Sequence, residues 1–168
     1  MANTYTLIAS STVGSGGAAS IDFSSIPSTY TDLVLKLSTR TAAAVTLQAI
    51  NISFNGSTSS FTSRTLEAEV PAVASFSNGA NLVGYANGGS STASTFNNLE
   101  IYIPNYAGSN NKSYSVDTVL EQNATYGVLT LSAGLRSNTA AITSISFALT
   151  ANNFAEYSTA YLYGISNS

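Results

Sequence analysis

Apolar and polar residues alternate one by one along much of this 168-residue chain. In Asp32–Ser38 leucine falls on every second residue, and Asn98–Ile103 repeats the pattern with Leu99, Ile101 and Ile103. Side chains of a β-strand point alternately to opposite faces, whereas a helix needs apolar residues three and four apart. The pattern therefore predicts strands with one buried face and leaves little room for helices.

Turn-forming pairs such as Asn55–Gly56 and Pro104–Asn105 separate the predicted strands. The strands recur about every ten to fifteen residues, a spacing that suits an antiparallel sandwich better than a parallel sheet with covering helices. We predict an all-β fold, an antiparallel, jelly-roll-like β-sandwich, as one domain over residues 1–168. The predicted strands are Thr4–Ile8, Ala18–Phe23, Asp32–Ser38, Thr46–Phe54, Phe61–Val70, Leu82–Tyr85, Asn98–Ile103, Ser113–Glu121, Val128–Leu135, Ile142–Leu149 and Thr159–Ile165.

The side chains that most often carry catalysis are scarce. The chain has no histidine and no cysteine, and only five basic and eight acidic residues. A serine nucleophile needs a neighbouring base, and thiolate chemistry needs cysteine. Lys36 and Lys112 are the remaining bases, and the alternation places Lys36 on the solvent face of its strand. We predict no catalytic residue, no cofactor and no metal ion.

Two pairs of carboxylates are the strongest enzymatic candidates. Glu67 and Glu69 share a strand face, as do Asp117 and Glu121, and glycoside hydrolysis uses two carboxyl groups at a set separation. Neither pair has a tryptophan or a third acid beside it, which favours solvated charges that discourage edge pairing. A calcium site at Asp117 and Glu121 lacks the dense Asp/Asn/Gly spacing of such sites. A carbohydrate depolymerase remains the enzymatic alternative.

Charge and hydropathy also limit the partners of the chain. The net charge is −3, and the few basic residues are scattered, whereas binding to nucleic acid needs a basic stripe. Polar residues, Gly or Pro interrupt every apolar run well before the length of a membrane span, and the start does not resemble a signal peptide. We expect no contact with nucleic acid and none with a membrane.

Tyrosine is the abundant aromatic residue, with ten copies and no tryptophan. Tyr102, Tyr106 and Tyr114 bracket one predicted loop, and tyrosines suit both protein interfaces and sugar stacking. Tyr5 and Leu7 lie in the first predicted strand, and terminal strands often pair with a neighbour's sheet edge. We predict that these five residues contact a partner; tyrosines at the edge of a sandwich core are the alternative interpretation.

The chain contains four distinctive strings, Ser20–Ser38, Leu99–Ser109, Ala133–Ile145 and Tyr161–Ile165. They resemble segments of a family of small virion proteins from tailed bacteriophages, especially marine and cyanobacterial ones, and the resemblance extends over Ala18–Ile165. It implies an all-β structural component of the particle, on the head or on the tail. The strings encode strands and turns, so no functional residue is carried over.

The hypothesis that follows is a capsid decoration or cement protein, made in the host cytoplasm and placed on the outer surface of the virion capsid. Its implied partner is the major capsid protein, and its implied assembly is a homo-oligomer, with a trimer favoured. A ligand that binds only the assembled shell stabilises that shell by mass action. The alternative is a tail-fibre or receptor-binding module that contacts host glycan through tyrosines and loop asparagines.

Overall fold

The computed structural model describes residues 4–69, 71–78, 81–123 and 126–166, and the regular elements in these ranges are strands. The prediction of an all-β chain is therefore confirmed. In chain order the strands are β1 Tyr5–Thr12, β2 Ser20–Phe23, β3 Asp32–Ser38, β4 Leu47–Phe54, β5 Phe61–Glu69, β6 Ala72–Asn78, β7 Leu82–Asn87, β8 Asn98–Ile103, β9 Lys112–Glu121, β10 Gly127–Arg136, β11 Ile145–Leu149 and β12 Thr159–Ile165.

The strands form two antiparallel sheets. Eight strands follow the order β1-β12-β3-β8-β9-β10-β5-β6, and four follow the order β2-β11-β4-β7. Buried apolar side chains of both sheets form one cluster, so the architecture is a β-sandwich. A jelly roll has eight strands in two Greek keys. Because the strands here divide eight and four, the jelly-roll part of the prediction is not confirmed.

Most predicted strands lie where the alternation places them, and β3 and β8 have the predicted ends. The predicted strand Phe61–Val70 is described as far as Glu69, and Val70 lies outside the described residues. The sequence does not predict β6. Its two large apolar residues, Val73 and Phe76, fall on opposite faces of the strand, so no apolar alternation marks it.

Aromatic rings fill the core at one end of the sandwich. Phe54 is fully buried, and its ring centroid lies 5.4 Å from that of Phe61 and 5.9 Å from that of Tyr114. The guanidinium carbon of Arg136 lies 5.8 Å from the Phe54 centroid and 5.7 Å from the Phe61 centroid, which is a cation–π geometry. Burial lowers the pKa of Arg136, and the two ring faces offset part of that cost.

Gly134 makes room for this aromatic cluster. It lies opposite Tyr114 in the β9–β10 ladder, and a Cβ atom at this position would lie 2.2 Å from the Tyr114 ring. The ring thus occupies the space that any larger side chain in β10 would need. A glycine under an aromatic ring is a recurring device of β-sheets, and here it lets Tyr114 reach Phe54 and Phe61.

Tyr114→Phe should make the protein less sensitive to alkali. The Tyr114 hydroxyl is buried without a hydrogen-bond partner among the described residues, and burial raises its pKa from 10.0 to about 12. The unfolded chain releases this proton first, so the wild type loses stability as pH rises through that interval, by up to ~1.4 kcal/mol per pH unit. The variant lacks this contribution, and near neutral pH it should be as stable as the wild type or slightly more so.

Urea unfolding of both proteins across this pH range measures the difference. Tyr85, whose pKa burial also raises to about 12, is unchanged in the variant, as are Tyr102, Tyr106 and Tyr126, whose pKa values are also raised. These tyrosines contribute to the alkaline sensitivity that remains. Equal pH slopes for wild type and variant would contradict the assignment of the slope to Tyr114.

Candidate functional surface

The outer face of the eight-stranded sheet, which points away from the four-stranded sheet, is the broadest regular surface of the described chain. Its side chains follow from the strand register, because every second residue of each strand points to this face. One row crosses all eight strands: Leu7, Tyr163, Val34, Tyr102, Ser115, Ala133, Arg64 and Ser77. The next row is Ser10, Tyr161, Lys36, Glu100, Asp117, Leu131, Leu66 and Ser75.

Aromatic side chains gather on the half of this face that β1, β12, β3 and β8 form. We call Tyr5, Leu7, Tyr102, Tyr161 and Tyr163 the tyrosine cluster. The ring centroids of Tyr5 and Tyr163 are 6.2 Å apart in an edge contact, and those of Tyr161 and Tyr163 are 6.5 Å apart and stacked. Tyr5 and Leu7 are about half exposed. The structure thus brings three of the predicted contact residues, Tyr5, Leu7 and Tyr102, to one face.

Two polar contacts lie in or beside the tyrosine cluster. The Tyr102 hydroxyl donates to the Asp32 carboxylate at 2.9 Å, and this bond raises the pKa of Tyr102. The Lys36 ammonium lies 2.6 Å from the Glu100 carboxylate, and this bond raises the pKa of Lys36. A shallow depression of about 260 Å³ adjoins them, lined by Lys36, Leu37, Ser38, Asn98, Thr159, Tyr161 and Tyr163.

The other two predicted contact residues are not on the surface. Tyr106 is fully buried, and its hydroxyl donates to the Pro27 carbonyl. Tyr114 is 4% exposed and packs against Phe54 and Phe61. Both are core tyrosines, as the alternative interpretation has it. Their prediction as partner contacts is therefore wrong. Tyr114 shares its strand face with Val116 and Leu120, an alternation that indicates the buried side.

A second apolar group occupies the other half of the outer face, on β9, β10, β5 and β6. The sequence pattern alone does not predict it. Its members are each between 37% and 73% exposed, and Leu131 lies directly opposite Leu66 in the ladder. We call it the aliphatic cluster, formed by Leu66, Val73, Val119, Leu129, Leu131 and Leu135.

Strand β10 turns its leucines to the outside and its polar residues to the inside. Leu129, Leu131 and Leu135 are exposed, whereas Thr130 and Ser132 are buried. In β5 the same inversion exposes Leu66 and buries the hydroxyl of Thr65, which lies 2.9 Å from that of Ser132. Apolar side chains of a sandwich normally face the opposite sheet. The exposed leucines of β10 therefore form a surface whose burial against a partner is favourable.

The two carboxylate pairs lie on opposite faces of the eight-stranded sheet. Glu67 and Glu69 are on the inward side of β5, and the Tyr126 hydroxyl donates to Glu69. Asp117 and Glu121 share the outer face of β9, two rows and about 13 Å apart along the strand, farther than the two carboxyl groups of glycosidases, about 5–9.5 Å. Among the described residues no group of three or more acidic side chains is placed to hold a metal ion.

Lys112 is one of the two candidate bases in the sequence, and the structure places it in the core. It is fully buried, and its ammonium donates to the carbonyls of Gly108 at 2.7 Å, of Thr139 at 3.2 Å and of Asn110. Burial and the nearby Arg136 charge lower the pKa of Lys112. Three carbonyl acceptors occupy all three ammonium protons, so Lys112 ties two loops together and is not available as a base for a serine nucleophile.

A depression of about 690 Å³ lies at one end of the sandwich. Most of its lining residues have small side chains, and they are Gly16, Gly17, Thr41, Ala42, Ala43, Asn152, Asn153, Phe154, Ala155 and Glu156. Glu156 is the one acid or base in this lining, so the lining holds no pair of acid and base side chains.

Comparison of the chain with protein-family models, with curated proteins and with solved structures found no match. The resemblance to phage virion proteins therefore stays a prediction. Within the described ranges no helix is long and apolar enough to cross a membrane.

Proposed function

We propose that this chain is a capsid decoration or cement protein of a tailed bacteriophage, which docks on the outer shell of the head and contacts the major capsid protein. The observation that carries the proposal is the outer face of the eight-stranded sheet. This face is broad and exposes tyrosines and leucines, and two of its charged side chains, Lys36 and Glu100, pair with each other. Interface cores are enriched in aromatic residues such as tyrosine.

The tyrosine cluster is the proposed contact with the shell. Tyrosine offers a large apolar area and a hydroxyl, and few of its rotamers are lost on binding because it has two side-chain torsions. The contacts of Tyr102 with Asp32 and of Tyr5 with Tyr163 orient these rings before a partner arrives. Pre-orientation lowers the entropic cost of association.

Purified heads test the location directly. The proposal expects the chain on intact heads in a copy number that matches the local threefold positions of the shell. Heads that lack the chain should bind the purified protein and then withstand heating or chelation better. Absence of the chain from heads, or its presence on tails alone, would contradict the proposal.

Tyr161→Asn should weaken binding to such heads about thirty-fold, the loss expected of an aromatic contact residue worth about 2 kcal/mol. Tyr161 is 39% exposed in the tyrosine cluster. Tyr157→Asn is the matched control, because Tyr157 is 69% exposed but lies outside both clusters. Co-sedimentation of the variants with heads measures the affinities. Equal losses for the two variants, or none for Tyr161→Asn, would remove the tyrosine cluster from the contact.

The second candidate function is a receptor-binding module for host glycan. One observation favours it: the depression of about 260 Å³ combines the Tyr161 and Tyr163 rings with the polar side chains of Asn98 and Thr159. Sugars stack on aromatic rings and bond to such polar groups. A glycan array probed with wild type and Tyr161→Asn tests this function. Binding of the wild type to a specific glycan, together with loss of that binding in the variant, would favour this function over decoration.

A further inference from the structure

We propose that the aliphatic cluster is a contact between two copies of this chain, related by a two-fold axis that passes over β10. The contact uses the β9, β10, β5 and β6 half of the outer face and leaves the tyrosine cluster free. It does not rest on the proposed function, because it concerns the protein alone in solution.

The first support for this contact is that β10 and β5 turn apolar side chains outward. In β10 and β5 the apolar face points outward, and it includes three exposed leucines beside one another: Leu129, Leu131 and Leu66. Val119 lies opposite Leu129 in the neighbouring strand and is 39% exposed. A contiguous apolar area of this kind marks a contact surface.

The charges around the aliphatic cluster point to a second copy as its occupant. Arg64 and Asp117 lie one strand to either side of β10 and one row apart, about 12 Å from each other. Arg64 has no ion-pair partner among the described residues. Asp117 lies opposite another carboxylate, Glu100, and burial together with this charge raises the Asp117 pKa, although Lys36 opposes the rise. Each copy thus offers one unmatched cation and one poorly matched anion.

A two-fold axis matches these charges with each other. If the axis lies parallel to the sheet, above the midpoint between Leu131 and Ala133, and runs perpendicular to the line from Arg64 to Asp117, it exchanges the positions of Arg64 and Asp117. The Arg64 of each copy then meets the Asp117 of the other, and both ion pairs form in one symmetric contact. A partner without this arrangement would leave one of the two charges uncompensated under the covered leucines, which is costly.

Leucines also meet in this arrangement. Leu131 and Leu66 lie directly opposite each other in the ladder and are 57% and 52% exposed. With the axis in this position, Leu131 of one copy approaches Leu66 of the other, so apolar side chains cover each other twice.

The size of the surface determines how tightly two copies should associate. Four strands and four rows of outward side chains cover about 19 Å by about 27 Å at ordinary sheet spacings. This outline of about 500 Å² is the size of a large apolar patch of a monomer and is smaller than the ~800 Å² per partner of stable complexes. We expect a dimer that dissociates at micromolar concentration.

Sedimentation velocity from low micromolar to several hundred micromolar protein tests the contact. The wild type should shift from monomer to dimer mass, and Leu131→Lys should weaken dimerisation at least ten-fold. Leu7→Lys is the matched control, because Leu7 is 53% exposed and Leu131 57% on the same face, but Leu7 is in the tyrosine cluster. A wild type that stays monomeric, a trimer, or a Leu131→Lys variant that dimerises like the wild type would overturn the proposal.

Charge reversal tests the two-fold pairing. Arg64→Asp and Asp117→Arg should each weaken self-association at least ten-fold, because each places like charges together twice. An equimolar mixture should restore a heterodimer, because both ion pairs re-form with opposite polarity. Circular dichroism checks that all variants are folded, and both charge positions are exposed. Failure of the mixture to associate would overturn the two-fold contact, even if Leu131→Lys fails to fold.

Discussion

Phe54→Ala should lower the free energy of unfolding by about 4 kcal/mol, in the upper range for a buried phenylalanine. The Phe54 side chain is fully buried at the end of β4 and contacts the rings of Phe61 and Tyr114. Its removal leaves a cavity and also takes one of two ring faces from the buried guanidinium of Arg136. For a chain of this length the melting temperature should fall by about 8–16 °C.

Thermal and urea unfolding monitored by circular dichroism measure this loss. Val73→Ala is the control, because Val73 is 73% exposed and its truncation should cost less than about 0.5 kcal/mol. If Phe54→Ala costs less than about 1 kcal/mol, the aromatic cluster is not packed as described.

Asn97→Ala should cost about 3 kcal/mol, because one buried amide joins the two sheets. The Asn97 side chain is 1% exposed, and its oxygen accepts from the Thr39 amide at 2.6 Å and from the Thr39 hydroxyl at 2.8 Å. Its nitrogen donates to the Tyr85 carbonyl in β7 at 2.7 Å. Alanine removes these bonds and leaves the buried Thr39 amide without its acceptor. Each buried polar group that loses its partner costs about 1–3 kcal/mol.

The neighbouring asparagine provides the control. Asn98 is exposed at the start of β8, so Asn98→Ala should change stability by less than about 0.5 kcal/mol. Urea unfolding of the two variants under the same conditions compares them. Equal and small effects would show that Asn97 does not link β7 to the segment after β3.

The strands were predictable wherever one face is buried and carries large aliphatic residues. Leucine at every second position marks β3, and its ends follow from the polar residues around it. The same pattern does not mark β6, because Val73 and Phe76 are three residues apart and point to opposite faces of the strand. The division of the strands eight and four depends on pairings between distant segments, such as β3 with β12, which no local pattern encodes.

The candidate surface was predictable only in part. Tyr5, Leu7 and Tyr102 belong to the exposed face, but Tyr106 lies in a loop, where alternation does not indicate burial. The alternation in β10 shows that its leucines share one face of the strand, but it does not show whether that face points to the core or to solvent. The usual placement of apolar side chains would turn them toward the core. Their outward direction is set by the neighbouring strands, because Val116 and Leu120 of β9 already face the core.

The two ends of the described chain lie side by side, since Tyr5 pairs with Ile165 in the ladder of β1 and β12. Strand β12 also pairs with β3, so it inserts between two strands made much earlier. During synthesis the large sheet therefore stays divided until β12 has left the ribosome. Such distant pairing slows folding, and a translation product interrupted before β12 lacks Tyr161 and Tyr163 of the tyrosine cluster.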